Sequence, residues 1–252
     1  MIRLELQEFF REHPRVALAF SGGCDSAYLL WEARKNGADV HAYYVKTPFQ
    51  PQFEFDDAKR LASELQIPLH VIESDGLQDP LIAANSKNRC YLCKRRIMKS
   101  IIQAAAKDGI SVVMDGTNAS DQTTDRPGMK ALQEFSIVSP LRMAGLSKEE
   151  VRRRSKEAGL FTWNKPAYAC LATRIPTGEA LTHAKLERTE WAEDFLFSLG
   201  FTDFRVRSKG DQAIIQLRES QMPLLLEERK RITEQLSKCY SSVVLDLVSR
   251  DE

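Results

Sequence analysis

One string constrains this chain more than any other: Ser21-Gly22-Gly23-Cys24-Asp25-Ser26, set between an apolar run at 16–20 and a helical pattern at 27–37. The apolar run is long enough for a buried strand. Two adjacent glycines let the backbone turn tightly and aim N–H groups inward, and the following helix adds the positive end of its dipole. Ser21 and Ser26 add hydroxyl donors. Asp25 adds a carboxylate that suits a Mg²⁺ ion held between protein and phosphates. The Gly-x4-Gly-Lys-Ser/Thr spacing of a Walker loop is absent. A serine-capped turn would account for a bare Gly-Gly, but not for six such residues between a strand and a helix.

The pattern around the loop extends it into a fold. Further strands are predicted at 40–46, 69–72 and 111–114, with helices at 3–12, 55–65 and 93–107. Strands alternating with helices predict an α/β fold, a parallel twisted sheet with helices on both faces. Its ligand belongs at the carboxyl ends of the strands, which is where the glycine turn falls. This first domain is expected over 1–165, closing with a helix that Ser147 caps and Ala158-Gly159 ends. Residues 163–179, with Pro166, Cys170 and Pro176, read as a linker loop. Residues 180–252 read as a small α+β domain: helix to about 199, strands 203–208 and 212–217, helix 220–236, strand 242–248. Gly210-Asp211 suits a tight hairpin between the two central strands.

Bulk properties exclude several classes. At 252 residues the chain fits one large domain, or one domain plus a small one. A net charge of +1 gives no global pull toward nucleic acid or membrane. No run approaches the roughly 20 apolar residues of a membrane helix, and the first residues lack a secretory pattern. A cytoplasmic protein is expected, with no membrane or nucleic-acid partner. Five cysteines in that setting suggest metal binding or catalysis more than disulfides.

Arg89-Cys90-Tyr91-Leu92-Cys93-Lys94 carries two of those thiols, and Cys170 lies in Ala169-Cys170-Leu171-Ala172-Thr173-Arg174-Ile175-Pro176. A zinc ribbon would need a second pair, and His13, His41, His70 and His183 are scattered in sequence. Three readings stay open: a [4Fe–4S] cluster on Cys90, Cys93 and Cys170 with one iron left open for a sulfide, a redox dithiol with Cys170 separate, or structural thiols. Cys24 reads as a small buried residue and Cys239 as a core or surface thiol.

Asp115-Gly116-Thr117-Asn118 follows the fourth strand, on the ligand edge. Gly116 allows close approach to a nucleotide, and Asp121 is a candidate for ordering that nucleotide or Mg²⁺. Arg126 is a candidate for phosphate or adenylate. Arg205 and Arg207 alternate along one strand and share a face, which suits a phosphate. Arg174 is four residues past Cys170, where it is expected to hold a substrate carboxylate near the sulfur. The role of Glu187 stays open.

The loop string resembles that of the PP-loop ATP pyrophosphatases, a group that includes asparagine, GMP and NAD synthetases and tRNA-thiolating enzymes. That resemblance implies cleavage of ATP between its α- and β-phosphates as a substrate oxygen is adenylated. Over about 15–248 the chain resembles the LarE family of ATP-dependent sulfur transferases. The loop, the Arg-Cys-Tyr-x-Cys-Lys string, Asp115 to Asp121, Arg126-Pro127-Gly128-Met129, Ser139-Pro140-Leu141, Cys170 to Pro176 and Phe204-Arg205-Val206-Arg207 carry the likeness. It implies that carboxylates of pyridinium-3,5-biscarboxylic acid mononucleotide are adenylated and converted to thiocarboxylates for the nickel-pincer nucleotide cofactor, with Asp25 and Cys170 catalytic. It implies ATP, Mg²⁺ and, with all three cysteines present, a [4Fe–4S] cluster. It also implies a homo-oligomer. Relatives without the paired cysteines give up the Cys170-type sulfur and leave dehydroalanine. The departures are Cys24 where Val is commoner and Thr173 where Ser is commoner. A tRNA thiolase would carry a basic stripe, an ammonia-using synthetase would leave three cysteines unexplained, and a nucleotide sensor would bind ATP without turnover.

Overall fold

The computed structural model describes residues 5–121 and 127–250. The chain divides into two compact units, 1–76 with 88–167, and 77–87 with 168–252.

In the first unit, α1 (Leu6–Glu12), β1 (Arg15–Ala19), α2 (Cys24–Lys35), β2 (Asp39–Lys46), α3 (Gln52–Glu64) and β3 (Leu69–Glu73) come first. Then follow α4 (Arg89–Lys107), β4 (Val113–Asp115), α5 (Pro127–Glu134) and α6 (Lys148–Glu157). All four strands are parallel, in the order β3-β2-β1-β4. Side chains of β1 alternate between two cores. Val16 and Leu18 pack with Leu29 and Leu30 of α2, whereas Ala17 packs with Tyr43, Met98 and Ile101. Helices α2 and α4 therefore cover opposite faces, as the alternating pattern requires. Burying each leucine fully stabilises the unit by about 1.5–3 kcal/mol. From β1 the chain steps outward to β2 and β3, then returns to β4 on the other side. The space above β1 and β4 is thus the switch point at which such sheets take ligands.

Several boundaries differ from the sequence reading for local reasons. Helix α2 begins at Cys24, because Gly23 takes the N-cap position with extended backbone. Helix α4 begins at Arg89, so Cys90 and Cys93 lie within its first turns. Helix α5 was not anticipated. The histidines are not all apart either: His41 and His70 meet with Nδ1 and Nε2 at 2.9 Å. Residues far apart in sequence are joined here by strand register, in which Tyr43 pairs with His70 across β2 and β3.

The second unit contains α7 (His183–Ser198), β5 (Arg205–Lys209), β6 (Gln212–Gln216), α8 (Met222–Leu236) and β7 (Ser242–Leu245). Strands β5 and β6 are antiparallel, and Lys209 pairs with Gln212 across a two-residue turn in which Gly210 has φ +53°. Strand β7 adds parallel to β6. Ala192, Leu196, Phe204, Val206, Ile215, Ile232 and Leu236 form its core. Residues 77–87 are tied to this unit by backbone bonds: Leu181 donates to the Ala83 carbonyl at 2.8 Å and Gly178 to that of Asn85 at 2.9 Å.

Candidate active site

The glycine turn leaves the carboxyl end of β1 and enters α2, within the first unit. Gly22 sits at φ +73°, and a Cβ there would meet the Glu54 carbonyl at 3.0 Å and Ala58 at 3.3 Å. Only glycine satisfies both the dihedral and the space. The serine hydroxyls shape the turn, with Ser21 and Ser26 Oγ 3.1 Å apart and Ser26 Oγ donating to the Gly23 carbonyl at 3.1 Å. Gly116, just past β4, packs against the start of the helix. A Cβ there would lie 2.7 Å from Ser26 N, so the loop and the segment after β4 are in backbone contact.

Asp25 is the telling residue. Its Oδ2 is held by Lys148 Nζ at the start of α6. Its Oδ1 is buried and has no hydrogen-bond partner among the described residues. Leaving a buried acceptor unmet costs about 1–3 kcal/mol, more for a charged one. A Mg²⁺ ion or the groups it carries would satisfy that oxygen, so the residues present fit a magnesium nucleotide. Lys148 was not singled out in the sequence; only its place just after the capping Ser147 marks it.

The segment after β4 is a closed turn. Asp115 accepts from Thr117 Oγ1 at 2.6 Å and Ser139 Oγ at 2.7 Å, and Asp121 accepts from the Asn118 N–H at 3.0 Å. Arg142 donates to the Asp121 carbonyl. Arg126 lies outside the described residues. Cys24 is buried, with its sulfur 3.6 Å from Ser155 Oγ. On α4, Cys90 is exposed and Cys93 half-buried. Spaced three apart on a helix, they share a face. Arg89 Nη2 donates to the Cys90 sulfur at 3.2 Å. Among the described residues no group of three or more His, Cys, Asp or Glu is placed to hold a metal ion.

The second unit holds a distinct constellation around Cys170, which is half-buried and opens a 3-10 turn over Leu171–Arg174. Thr173 fixes that turn through two bonds to the Cys170 carbonyl, from N at 2.9 Å and Oγ1 at 2.8 Å. Arg207 Nη1 donates to the Thr173 carbonyl at 2.6 Å, so strand β5 reaches the cysteine turn. Arg205, one pleat back on the same face, lies over the Tyr168 ring at 5.2 Å. Burial, and then the like charges of Arg174 and Arg250, push the Arg205 guanidinium down to about 10 and lower that of Arg207. Both guanidiniums are thus disfavoured by burial and by the neighbouring charges of Arg174 and Arg250.

Arg174 does not take the position expected from sequence. Its side chain is 0% exposed and forms an ion pair with Glu193, Nε to Oε1 at 2.7 Å, while Nη1 donates to Thr173 Oγ1 and the Ala169 carbonyl. Burial alone would lower its affinity for the proton, but Glu193 outweighs that and raises it. Its guanidinium is committed to the fold beside the cysteine, not open to a substrate carboxylate. Glu193, which also accepts from Tyr168 OH and from the Val206 N–H at 2.9 Å, was missed by sequence reasoning. Its signal was a carboxylate on the apolar stripe of α7, between Ala192 and Leu196. Glu187 and Cys239 are exposed.

A parallel sheet with this glycine turn at its switch point defines the PP-loop class of α/β proteins. Comparison with protein-family models finds no match. Individual proteins are more informative. The chain is 36% identical over 240 residues to the pyridinium-3,5-bisthiocarboxylic acid mononucleotide synthase of Lactiplantibacillus plantarum, covering 94% of this chain and 87% of that one. It is 35% identical over 224 residues to an uncharacterised protein of Synechocystis, covering 88% and 84%. A tRNA-specific 2-thiouridylase of Clostridium botulinum is 26% identical over 182 residues, covering 60% of this chain and 52% of its own. The chain belongs to the LarE family, that of the pyridinium-3,5-bisthiocarboxylic acid mononucleotide synthases.

Proposed function

We propose that this protein is an ATP-dependent sulfur transferase of nickel-pincer nucleotide biosynthesis, which adenylates the carboxylates of pyridinium-3,5-biscarboxylic acid mononucleotide and replaces AMP with sulfur. The observation that carries the reading is the buried Asp25 oxygen without a partner, beside a glycine turn at the switch point of the sheet. Family membership supplies the acceptor.

Asp25 would hold the Mg²⁺ ion of the nucleotide, which would supply positive charge to the phosphates. The substrate carboxylate attacks the α-phosphorus, and the bond to the β-phosphate oxygen breaks. Charge gathers on the departing pyrophosphate, where the N–H groups of Gly22 and Gly23, the hydroxyls of Ser21 and Ser26 and the start of α2 stabilise it. Gly116 admits the nucleotide close to the backbone, and Asp121 orders the turn that flanks it. In the second unit, Arg205 and Arg207 take the 5′-phosphate of the mononucleotide. The partners are then ATP and this small phosphorylated substrate, in a cytoplasmic homo-oligomer.

Cys90, Cys93 and Cys170 are donors of the kind that holds a [4Fe–4S] cluster, and such a cluster supplies an iron able to carry sulfide. The second reading makes Cys170 the sulfur source. Its thiolate displaces AMP from the acyl adenylate, and elimination across Cα–Cβ leaves a thiocarboxylate and dehydroalanine. The bonds from Thr173 and Arg207 favour it, because they fix Cys170 within the arginine cluster.

Two measurements test these statements. Wild-type protein with ATP, Mg²⁺ and the biscarboxylate should release pyrophosphate, and Asp25→Ala should not; undiminished release would mean that the loop is misread. Anaerobically purified protein should carry iron and sulfide and a visible chromophore. Colourless, iron-free protein whose Cys170 loses the mass of H₂S in one turnover would select the second reading.

A further inference from the structure

Lys148 stands where its own helix does not favour it. It is the first residue of α6, directly after the capping Ser147, whose Oγ accepts from the Glu150 N–H at 3.2 Å. The amino end of a helix carries the positive end of its dipole, so a cation in the first turn is disfavoured. Glu149 and Glu150 beside it supply the charge that the helix prefers. The lysine is nevertheless held in place by its backbone. Its N–H donates to Ser120 Oγ at 3.0 Å, and the Ala119 N–H donates to the Leu146 carbonyl at 2.7 Å, so the turn after β4 grips the start of α6. The same turn meets the glycine loop through Gly116. What this placement achieves is the ion pair with Asp25, in the first turn of α2.

Both members of that pair keep capacity in reserve. Lys148 Nζ takes Asp25 Oδ2, while Asp25 Oδ1 is buried with no hydrogen-bond partner among the described residues. An ammonium has three donors, and among the described residues Asp25 is the one acceptor that this ammonium meets. The lysine side chain is 37% exposed on a flexible four-carbon stem, so its head can swing while α6 stays fixed. A divalent ion that approached this carboxylate alone would meet a positive charge already in contact with it, and like charges a few ångströms apart repel strongly near a protein surface. A nucleotide changes the balance, because its phosphates offer the ammonium a second anion within reach of the same loop.

We propose that Lys148 is a placeholder cation. In the nucleotide-free protein its ammonium covers the Asp25 carboxylate and excludes a bare divalent ion. When ATP enters the loop, the ammonium moves to the phosphates and frees the carboxylate for the Mg²⁺ that accompanies them. The proposal rests on the reading of the loop as a magnesium-nucleotide site and adds an order to it: cation and nucleotide enter as one unit. Lys148 is thereby a positioning residue, acting through Asp25 before binding and on the phosphates after it.

The test uses the full chain and Mn²⁺, a paramagnetic stand-in for Mg²⁺, with bound ion counted by electron paramagnetic resonance and no turnover required. Lys148→Met should bind bare Mn²⁺ at least about 10-fold more tightly than wild type. The same variant should bind Mn²⁺ together with the α,β-methylene analogue of ATP at least about 10-fold more weakly. A lysine that served only the fold would not move the two affinities in opposite directions. Lys148→Arg should restore the exclusion of bare Mn²⁺, and adding Asp25→Asn to Lys148→Met should abolish the gained affinity. The proposal is overturned if Lys148→Met, or Lys148→Gln should the first variant not fold by circular dichroism, binds bare Mn²⁺ no more tightly than wild type. It is also overturned if the gain persists without the Asp25 charge. Should these shifts be missing while Asp25→Ala still abolishes pyrophosphate release, the nucleotide reading stands and the placeholder alone falls. Release that survives Asp25→Ala overturns both.

Discussion

The two polar centres of this molecule are built on opposite plans. In the first unit the loop keeps its chemistry uncommitted, since one oxygen of Asp25 is buried with no hydrogen-bond partner among the described residues. In the second unit charges near Cys170 answer one another. Arg174 is paired with Glu193, and Asp203 with Arg218 at 2.7 Å and Arg250 at 3.2 Å. The first plan stores a demand that a ligand meets. The second stores rigidity: Arg207 is bonded to Gln216 and to the Thr173 carbonyl, and Arg205 lies 3.9 Å from Asp203 and over the Tyr168 ring. One centre should therefore be sensitive in activity and the other in stability.

The sharpest way to break this contrast is Glu193→Gln. It leaves Arg174 buried without its counter-charge, which should cost about 3–5 kcal/mol in denaturant unfolding. A cost under about 1 kcal/mol would mean that the pair is dispensable and the contrast false. Asp25→Asn comes next. Pyrophosphate release should fall at least about 100-fold, the scale of one lost electrostatic contact at a reacting phosphate, while the unfolding midpoint hardly moves. A large loss of stability would show that Asp25 serves the fold instead. Gly116→Ala should cost about 1–3 kcal/mol, because its Cβ would strike backbone at Ser26, and should slow adenylation by displacing the loop.

Smaller effects sharpen the second plan. Arg207→Ala should raise the KM for the pyridinium mononucleotide about 10-fold and leave KM for ATP alone, as expected from loss of a charged contact worth roughly 1.5–3 kcal/mol. The acid limb of stability gives the mildest test. Asp203 is partly buried, yet the bonds from Arg218 and the charges of Arg250 and Arg205 hold its carboxyl below the usual range. A carboxyl lowered on folding adds stability above its unfolded pKa of about 3.9, and that increment is lost as pH falls through the folded value. Asp203→Asn should flatten unfolding free energy below about pH 4 without changing its slope near neutrality.

The loop of the first centre was legible in the sequence because its own residues are contiguous. Ser21 to Ser26 follow a strand and open a helix, and local dihedrals at Gly22 do the rest. Gly116 was legible for the same reason, at the end of the strand beside the loop. The second centre was only half legible. Arg205 and Arg207 share a face by strand periodicity alone, and the structure keeps them there. Arg174 looked like a ligand group because its sequence neighbour is Cys170. Its partner Glu193 sits 19 residues away on a helix, and no spacing rule joins them. The histidine pair fails the same way, since 29 residues separate His41 from His70 and only strand register unites them. Lys148 was hidden in a run of charged residues that looks like an ordinary solvated face.

Residues 77–87 leave one unit of the chain, complete the other and return. A gene cut at residue 167 would therefore yield two fragments that each misassign a piece. The carboxyl-terminal fragment would lack the strap whose carbonyls receive Leu181 and Gly178, and the amino-terminal one would trail a strap without its acceptor surface. Modular shuffling of the adenylating half onto other tails is barred unless this eleven-residue excursion travels with the tail it serves. The interleaving makes the two halves a single heritable piece.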